Sequence, residues 1–356
     1  MPLSPALFIT GFPGFIAARL VKRLAADRAR FFLLVQPAFV ERAREEIALI
    51  SRETETPLGN FRISEGDITK VDLELSPADS EVVRRETSTL FHLAAIYDLA
   101  VERELALRVN LEGTRNINSF ARTIRNLRRY HYVSTCYVAG RRKGVVLENE
   151  LQHHAGFRNA YEETKYLAEL EVEGLKSELP ITIHRPAVVC GDSRTGETAK
   201  YDGIYYLIQY LRMWPEALTL VNIGNRDVEL NLVPVDFVID AMVALAKDDR
   251  AIGATVQLAD PAPLATHELF NEIATALNGR GAVVGVPAEL VRPALLLPFA
   301  EKISGLPHAA VPYFFLSQTY DTSRANELLE SHGVRCPRFP DYVKNLISFV
   351  EQHPRL

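Results

Sequence analysis

The chain has 356 residues, of which 47% are hydrophobic and 24% charged, and its formal net charge is −5. This apolar content suits one large or two modest globular domains and excludes a disordered or fibrous chain. The slight acidic excess argues against nucleic acid as the main partner, because a surface that follows phosphates usually needs a basic excess. A small-molecule ligand is therefore expected.

Cysteine usage and hydropathy indicate a cytoplasmic protein. The three cysteines, Cys136, Cys190 and Cys336, lie far apart, with no CxxC spacing and no Cys/His cluster. Neither a disulfide framework nor a metal site is expected. No apolar run approaches the roughly 18 residues of a transmembrane helix. The apolar opening lacks a basic stretch and runs into a glycine turn, so it predicts a strand rather than a signal peptide.

Short β-branched or aromatic runs alternate with amphipathic stretches, which is typical of a parallel sheet with crossover helices. The predicted strands cover residues 6–10, 31–35, 61–64, 89–93, 129–134 and 181–184. The predicted helices cover residues 15–26, 40–52, 101–124, 159–177, 235–246 and 267–277. Runs without alternation, such as FFLLV, indicate strands buried on both faces. The predicted fold class is α/β, a doubly wound parallel sheet of the Rossmann type.

The pattern changes after about Gly191, where the chain becomes aromatic and proline-punctuated. We expect a Rossmann domain over residues 1–190 and a smaller substrate-binding part over 191–356, with segments near 228–260 returning to the first domain. The helical spacing of one aromatic patch suits a core or interface better than a substrate tunnel; its members are Tyr205, Tyr206, Tyr210 and Trp214. Residues 291–304 suit a lid, a homodimer face or a patch for peripheral membrane contact.

A glycine-containing turn follows the first strand and opens the first helix, which is the context that a dinucleotide site requires. Its residues are Thr10, Gly11, Phe12, Pro13, Gly14, Phe15, Ile16 and Ala17. Glycines let the backbone turn tightly and approach a pyrophosphate, whose charge meets the amides of the helix N-terminus. Ala17 replaces the third glycine of the usual pattern and is still small. The alternative is an ordinary loop.

Two later strand ends agree with a nucleotide site. Asp67 and Ile68 follow the third strand, where the carboxylate could accept a hydrogen bond from an adenine amine or only cap a turn. Leu93, Ala94 and Ala95 end the fourth strand with mostly small residues. Such residues are expected where backbone runs against a flat cofactor.

The residues after the second strand favour NADP over NAD. A site selective for NAD commonly carries Asp or Glu about 20 residues past the glycines, where it holds the ribose 2′-hydroxyl. Here the strand runs into Gln36, and Arg42 and Arg44 open the next helix. The missing carboxylate removes repulsion toward a 2′-phosphate, and an arginine such as Arg42 can pair with it. Alternatively, both arginines only solvate the helix surface.

Tyr161 and Lys165 are four residues apart, which places them on one face of a predicted helix. A nearby ammonium favours the ionised form of tyrosine and lowers its pKa from roughly 10, so the hydroxyl could serve as a general acid and base. Thr135 follows the strand 129–134, at the end where doubly wound sheets bind ligands. A carbonyl that accepts from Thr135 and Tyr161 is stabilised as its oxygen gains charge.

Seven segments stand in the order found in the extended short-chain dehydrogenase/reductase superfamily: TGFPGF, GDI, HLAA, VNLEGTRN, VSTCYVAG, YEETK and HRPAVV. The chain resembles that superfamily over most of its length. The roles that this resemblance implies are a catalytic hydroxyl at Thr135, an acid/base at Tyr161, a ribose-binding lysine at Lys165, nicotinamide-lining residues at Pro186 and Val188, and structural support from Asn110.

Two segments, NAYEETKYLAE and RPAVVCGDSRTGE, resemble the branch of fatty acyl-CoA reductases and terminal thioester-reductase domains. The chain departs from that branch at Gln36, where many members have arginine, and it is shorter than acyl-CoA reductases that carry an added C-terminal domain. The resemblance implies NADPH-dependent reduction of a hydrophobic acyl thioester, or of the derived aldehyde. The acyl group would be presented by CoA or by an acyl carrier protein.

Three other functions remain open: a hydrophobic alcohol or hydroxysteroid dehydrogenase, a sugar-nucleotide epimerase, and a cofactor-binding sensor without turnover. The presence of Thr135, Tyr161 and Lys165 argues against the sensor. An epimerase must bind a second diphosphate and a polar sugar, whereas the chain after Gly203 is rich in aromatic and apolar residues. A hydrophobic substrate is therefore favoured.

Overall fold

The structure is a computed structural model that describes residues 6–213, 221–282, 284–297, 301 and 306–355. Two features named from the sequence fall partly outside these ranges. They are Trp214 of the aromatic patch, and residues 298–300 and 302–305 of the stretch 291–304. Within the described ranges, no helix has the length and apolar character needed to cross a membrane.

The strands and helices are numbered in chain order. Strands β1 to β13 are Ala6–Thr10, Arg30–Val35, Phe61–Glu65, Thr87–His92, Arg129–Val133, Gly144–Val146, Ile181–Pro186, Val188–Cys190, Val221–Asn222, Leu232–Pro234, Thr255–Leu258, Val284–Gly285 and Gln318–Tyr320. Helices α1 to α12 are Phe15–Ala25, Val40–Thr54, Pro77–Glu86, Arg103–Ala106, Gly113–Ala121, Ala160–Glu173, Ile204–Met213, Val235–Ala246, Thr266–Asn278, Ala288–Leu295, Ser323–Glu330 and Phe339–Gln352.

Seven strands form one sheet in the order β11-β7-β5-β4-β1-β2-β3. Its pairs β1–β2, β1–β4, β2–β3, β4–β5 and β5–β7 are parallel. The chain builds outward from β1 on one side and from β4 on the other, so the topological switch point lies between these two strands. Thr10 and His92, their last residues, are register partners. The predicted doubly wound parallel sheet is confirmed.

Burial explains why the sheet could be predicted. Strand β2 reads RFFLLV, and five of its six residues are buried, as a strand covered on both faces requires. One core packs the sheet residues Phe8, Tyr130 and Ile183 together with Phe120 of α5 and Val172 of α6. All six predicted strands form, with ends shifted by at most two residues.

The helices differ more from prediction. A single α-helix over 101–124 is wrong, because helices α4 and α5 are joined by a π-helical turn at Leu107–Glu112. The helix predicted over 159–177 begins at Ala160 and ends at Glu173. Helix α3 was not predicted; the hydroxyl of Ser76, its N-cap, accepts a hydrogen bond from the amide of Asp79.

The chain divides into two compact units. The first comprises the chain up to Gly140, Leu151–Arg185 and Ile239–Val256, and the second comprises Arg141–Glu150, Pro186–Val238 and the chain from Gln257 onward. The second unit contains three two-stranded sheets, β8–β10, β9–β12 and β6–β13. Its core joins helices α7, α9 and α12 through buried residues such as Ile208, Phe270 and Leu346.

The aromatic patch serves two purposes in the second unit. Tyr205 is buried in the core, as expected, and its hydroxyl accepts a hydrogen bond from the amide of Gly191 at 2.9 Å. Tyr206 and Tyr210 instead line a pocket. Both also pack against clusters of buried hydrophobic residues, so their place on the pocket wall does not contradict the expected core position.

One buried carboxylate ties three segments of the second unit together. Glu148 is only 4% exposed. It accepts hydrogen bonds from the amides of Gln257 at 2.8 Å, Arg324 at 2.6 Å and Ala325 at 3.1 Å. Burial raises the pKa of Glu148 from 4.5 to about 7, and the three amide hydrogen bonds offset only part of that rise. Between pH 4.5 and about pH 7, Glu148 is therefore mostly protonated in the folded chain and mostly ionised in the unfolded chain.

This linkage predicts a pH-dependent contribution to stability. The contribution of Glu148 is present in full below the unfolded pKa of 4.5 and is lost as pH rises through about 7. Glu148→Gln removes the titrating group, so the melting temperature of wild type relative to the variant should fall between about pH 5 and about pH 8. Thermal unfolding of both proteins across that range checks this, and parallel pH profiles would contradict it.

Candidate cofactor and catalytic site

Thr10 connects the glycine turn to the end of strand β4. Its hydroxyl oxygen accepts from the amides of Leu93 at 3.2 Å and Ala94 at 3.1 Å. Thr10 Oγ1 also lies 2.8 Å from His92 Nδ1. Because a hydroxyl has one proton and two lone pairs, it must donate to His92 once both amides are satisfied. The switch point between β1 and β4 is thus held by hydrogen bonds.

The proton positions of His92 follow from this network. With Nδ1 as acceptor, Nε2 carries the proton and donates to Thr114 Oγ1 at 3.1 Å. Thr114 in turn donates to the carbonyl of Asn110 at 2.6 Å. Burial, and then the charge of Lys165, lower the pKa of His92 to about 3. His92 is therefore a neutral structural link rather than an acid or base.

The turn itself has the features of a pyrophosphate cradle. Gly11 has φ +88°, and a Cβ on it would lie 2.9 Å from the amide nitrogen of Ala94, so no other residue fits without displacing backbone. The Gly14 amide donates to the Gly11 carbonyl at 2.8 Å. Gly14 caps helix α1 without a side chain, so no side-chain cap engages the first-turn amides. Such amides suit an anion.

The other turn residues form its walls. Phe12 and Pro13 are buried, and Phe15 and Ile16 are half-buried in the first turn of α1. Ala17, which replaces the third glycine of the usual pattern, is 2% exposed. A methyl group therefore fits where the helix packs closely, and this departure does not disturb the turn.

The residues predicted to lie near the adenosine of the cofactor, Gln36, Asp67 and Ile68, make hydrogen bonds within the protein. Gln36 Nε2 donates to Asp67 Oδ2 at 3.1 Å, and the Asp67 carboxylate also accepts from the amide of Thr69 at 2.8 Å. Ile68 is buried, and the carbonyl oxygen of Ile68 accepts from Asn116 at 2.7 Å. Asp67 therefore caps a turn and keeps Gln36 in place in this state.

The two arginines of helix α2 differ. Arg44 forms an ion pair with Glu41. Arg42 is exposed and makes no ion pair with any residue that the structure describes. Its guanidinium is therefore available to a phosphate, whereas that of Arg44 already has a carboxylate partner. The assignment of Arg42 to a 2′-phosphate stays a prediction.

Thr135 and Tyr161 meet, as the sequence predicts. Thr135 is buried at the start of the short turn Cys136–Ala139, directly after β5, and its Oγ1 accepts from the Tyr137 amide at 3.2 Å. A side-chain hydrogen bond joins Thr135 to Tyr161. Burial raises the pKa of Tyr161 to about 12, and the Thr135 hydrogen bond offsets part of that rise. Tyr161 is therefore protonated and poised as a donor.

Lys165 does not act on Tyr161 in the predicted way. Its Nζ donates to the Tyr132 hydroxyl at 3.0 Å and to the Val133 carbonyl at 2.8 Å. The expected lowering of the pKa of Tyr161 by Lys165 is not seen in this structure: burial raises that pKa, and Lys165 is not among the groups that shift it. Burial also lowers the pKa of Lys165 to about 7, and the carboxylate of Glu169 opposes that change.

A buried ion pair beneath these residues was not predicted. Glu169 Oε1 accepts from Arg185 Nε at 2.8 Å and Nη2 at 2.6 Å, and the other Glu169 oxygen accepts from the Ser134 hydroxyl. Glu169 and Arg185 are 0% and 2% exposed. A signal was available, since Tyr161, Lys165 and Glu169 recur every four residues on one helix face. The matching cation, in strand β7, has no such spacing.

Asn110 lies in the π-helical turn and bridges to helix α6. Its Nδ2 donates to Thr164 Oγ1 at 3.0 Å and to the Ile96 carbonyl at 3.1 Å, while its Oδ1 accepts from the Ile96 amide at 2.9 Å. These contacts agree with the structural support expected for it. The bridge fixes the loop after Ala94 and Ala95, both half-buried, next to helix α6.

The residues expected along the nicotinamide lie on the strands that follow. Pro186 is the last residue of β7 and is buried. Val188 begins β8, where it is the register partner of Leu232 in β10. A Cβ on Gly203 would lie 3.1 Å from the Val188 side chain.

The sequence matches residues 9–242 to an NAD-binding domain family described as male sterility protein. Fatty acyl-CoA reductase wat of Drosophila melanogaster is 24% identical over 281 residues, which are 68% of this chain and 54% of that protein. The chain therefore spans about half the length of this curated relative, and it spans 22% of another, the glycine betaine reductase ATRR of Emericella nidulans.

Two solved structures share the fold. The terminal R domain of the myxalamid PKS-NRPS pathway has a TM-score of 0.83 at 24% identity, covering 99% of this chain and 92% of that one. A thiolation-reductase di-domain from an archaeal non-ribosomal peptide synthetase has a TM-score of 0.77 at 17% identity, covering 98% of this chain and 76% of that one. At such identities the likeness shows the fold.

The Thr10 network predicts a matched pair of variants. Thr10→Val removes the hydroxyl that two amides and His92 share, so unfolding free energy should fall by ~1–3 kcal/mol. Thr10→Ser keeps the hydroxyl and should stay near wild type. Urea unfolding measures both proteins. Equal stabilities for the Val and Ser variants would mean that the network contributes nothing.

Proposed function

The chain belongs to the male sterility protein family of NAD-binding domains, and on that premise we propose that it is an NADPH-dependent reductase of a hydrophobic acyl thioester. The proposal extends to the derived aldehyde as a second substrate. The thiol carrier is CoA or a carrier protein, as in the names of the relatives and fold neighbours.

The observation that carries the proposal is the paired hydroxyls of Thr135 and Tyr161 at the carboxyl end of strand β5. Two hydroxyls that lie this close together could both donate to one substrate oxygen. Such hydrogen bonds would stabilise the oxygen as it gains negative charge and so lower the barrier to carbonyl reduction. Tyr161 is protonated at neutral pH, since burial raises its pKa to about 12. It can therefore give its proton to an oxygen that becomes more basic than a phenolate.

The chain's own residues would act in two stages. The nicotinamide, when bound, supplies a hydride to the thioester carbonyl carbon. Thr135 and Tyr161 hold the carbonyl oxygen, and Tyr161 transfers its proton to it. The hemithioacetal then returns its hydroxyl proton to the Tyr161 phenolate as the C–S bond breaks, and the departing thiolate takes a proton from solvent as the aldehyde forms. Lys165, bonded to the Val133 carbonyl, holds the strand end that precedes Thr135.

The turn and Arg42 support NADPH as the cofactor. A Cβ on Gly11 would collide with the Ala94 backbone, so the close turn requires glycine, and no side-chain cap engages the first-turn amides of α1. Arg42 has no carboxylate partner among the described residues, and no carboxylate of β2 repels a 2′-phosphate, because that strand ends at Val35 and Gln36 follows. These residues fit a phosphorylated ribose.

Substitution of the acid should abolish turnover selectively. Tyr161→Phe should lower kcat by ~10²- to 10⁴-fold while leaving NADPH affinity nearly unchanged, because the hydroxyl serves the substrate. Tyr166→Phe, on the same helix, is the matched control and should keep wild-type rates. Lys165→Ala should weaken both rate and cofactor binding. Steady-state kinetics with a thioester substrate test all three, and wild-type rates in Tyr161→Phe would identify a different acid.

Cofactor choice gives an independent prediction. NADPH should bind more tightly than NADH, with a charge-assisted contact from Arg42 contributing about 1.5 to 3 kcal/mol, or ~10- to 150-fold in Kd. Arg42→Ala should remove this preference, whereas Arg44→Ala should retain it. Calorimetric titration of the three proteins with both nucleotides measures the six dissociation constants. Equal or tighter binding of NADH to wild type would refute the assignment.

A further inference from the structure

A series of buried hydrogen bonds joins Lys165 to the glycine turn, and its central member has no role in the proposed chemistry. That member is Tyr132 of strand β5, which is 1% exposed. Its hydroxyl accepts a hydrogen bond from Lys165 Nζ at 3.0 Å and bonds to the side chain of Thr114. Thr114 in turn contacts His92, which contacts Thr10. All five residues lie in the first unit.

The direction of each hydrogen bond follows from the protons available. The Thr114 hydroxyl donates to the Asn110 carbonyl at 2.6 Å, so its oxygen must accept from its other two partners. Those partners are His92 Nε2, at 3.1 Å, and the Tyr132 hydroxyl. Tyr132 therefore gives its only proton to Thr114 and offers a lone pair to Lys165.

We propose that Tyr132 is a positioning residue, which holds the Lys165 ammonium in the orientation that binds the cofactor ribose. The inference rests on the proposed function, because ribose binding by Lys165 is part of it. Beyond that function, an acceptor on a neighbouring strand fixes the lysine, and helix spacing alone does not. The same hydrogen bonds connect this acceptor to the glycine turn at Thr10.

Two acceptors on one strand hold the ammonium in place. Lys165 Nζ donates to the Tyr132 hydroxyl at 3.0 Å and to the Val133 carbonyl at 2.8 Å. It also lies 4.5 Å from the centre of the Tyr132 ring, within the range of a cation–π contact. An ammonium has three N–H donors, and two have acceptors among the residues that the structure describes, so the third can serve a ribose hydroxyl. Because the side chain is already ordered, little rotamer freedom is lost on binding.

The surroundings of Lys165 make its charge sensitive to this acceptor. Around it lie Tyr161 and Glu169 of the same helix, His92 of β4, Tyr132 of β5 and, bound to Glu169, Arg185 of β7. Glu169 favours the ammonium, whereas burial opposes it. His92 and Tyr161 are uncharged at neutral pH. A hydrogen bond donated to Tyr132 also favours the charged form, so its loss should lower the pKa of Lys165.

Tyr132→Phe removes the acceptor and keeps the ring, and the same strand supplies a matched control. Tyr130 is 0% exposed, and its hydroxyl donates to Asn118 Oδ1 at 2.7 Å. Tyr130→Phe therefore deletes an equally buried hydroxyl that Lys165 does not contact. Both variants should lose similar thermal stability, whereas only Tyr132→Phe should bind NADPH ~10- to 100-fold more weakly in calorimetric titration. An affinity loss common to both variants, or absent from both, would overturn the proposal.

A double-mutant cycle distinguishes positioning from a general loosening of the fold. Lys165→Met removes the ammonium and keeps an unbranched side chain. If Tyr132 acts through Lys165, adding Tyr132→Phe to Lys165→Met should change the Kd for NADPH by less than ~2-fold. Additive losses would refute the positioning role. Thr114→Val, which removes the acceptor of the Tyr132 proton, takes the place of Tyr132→Phe if that variant fails to fold, with the same non-additivity expected.

The pH dependence of binding is a second readout that a loosened fold would not shift. NADPH affinity should fall as pH rises through the pKa of Lys165, because the neutral amine has lost its charge and one donor. The fall should begin about one pH unit lower in Tyr132→Phe, at the wild-type pH in Tyr130→Phe, and should be absent in Lys165→Met. An unshifted profile in Tyr132→Phe would contradict the role given to its hydroxyl.

Turnover of a thioester separates this inference from the proposed function. NADPH binding that depends on Tyr132 as expected, without reduction of octanoyl-CoA or octanal, would support the positioning role and refute the reductase assignment. Reduction of octanoyl-CoA, with the Kd and pH profile of Tyr132→Phe equal to those of wild type, would do the opposite. Failure of the wild-type chain to bind NADPH or NADH would refute both.

Discussion

The buried ion pair between Glu169 and Arg185 is the interaction on which the geometry of the candidate site depends. Two charges without solvent must be matched closely, and removal of one partner from such a pair typically costs ~3–5 kcal/mol. Arg185 lies in β7, Glu169 lies in α6, and Ser134 after β5 bonds the second carboxylate oxygen. One carboxylate therefore aligns a helix with the ends of two neighbouring strands, and Tyr161 reaches Thr135 because of that alignment.

The electrostatics of the site follow from the same burial. Lys165 is 3% exposed, and desolvation would favour its neutral form; the nearby Glu169 carboxylate counteracts this, leaving a pKa of about 7. Tyr161 shifts the other way, with its pKa raised to about 12. The low-dielectric setting thus lowers the pKa of the lysine and raises that of the tyrosine, which therefore stays a proton donor at neutral pH. The charge state of Lys165 therefore depends on Glu169, one turn further along the same helix face, as well as on burial.

The sheet and the glycine turn could be predicted because both depend on short sequence patterns. The proximity of Thr135 and Tyr161 could be predicted because parallel strands end at a common edge of the sheet. The Glu169–Arg185 pair could be predicted only in part, because the four-residue spacing places Glu169 on the face of Tyr161 and Lys165 but no spacing identifies Arg185 as its partner. A glutamate on an amphipathic helix usually faces water, and only the tertiary neighbours of Glu169 bury it. Helix α3 was missed because its sequence, PADSEVVRRE, has too few apolar residues for a clear stripe. The two- and three-residue strands of the second unit are too short to show alternation at all.

The hydrogen bonds of Lys165 go to strand β5 rather than to Tyr161. Sequence spacing placed it one turn from Tyr161, yet a side chain of that length can reach past its neighbour to a better acceptor. Lys165 finds the Tyr132 hydroxyl and the Val133 carbonyl on β5, and its Nζ lies 4.5 Å from the centre of the Tyr132 ring. Spacing identifies which residues share a face, but the acceptors that complete the site come from other elements.

The π-helical turn at Leu107–Glu112 interrupts a helix that would otherwise be a regular α-helix. The contacts of Asn110 depend on that interruption. Such a turn holds one residue more than an α-helix would, and each residue advances the helix by about 100°. Deleting one residue there would restore the α-helical register and rotate one half of the helix against the other by more than a quarter turn. Asn110 could then no longer reach Ile96 and Thr164 together with α5 still seated on the sheet. A regular α-helix in this segment would therefore lose the Asn110 bridge, and the π-helical turn is needed to keep it.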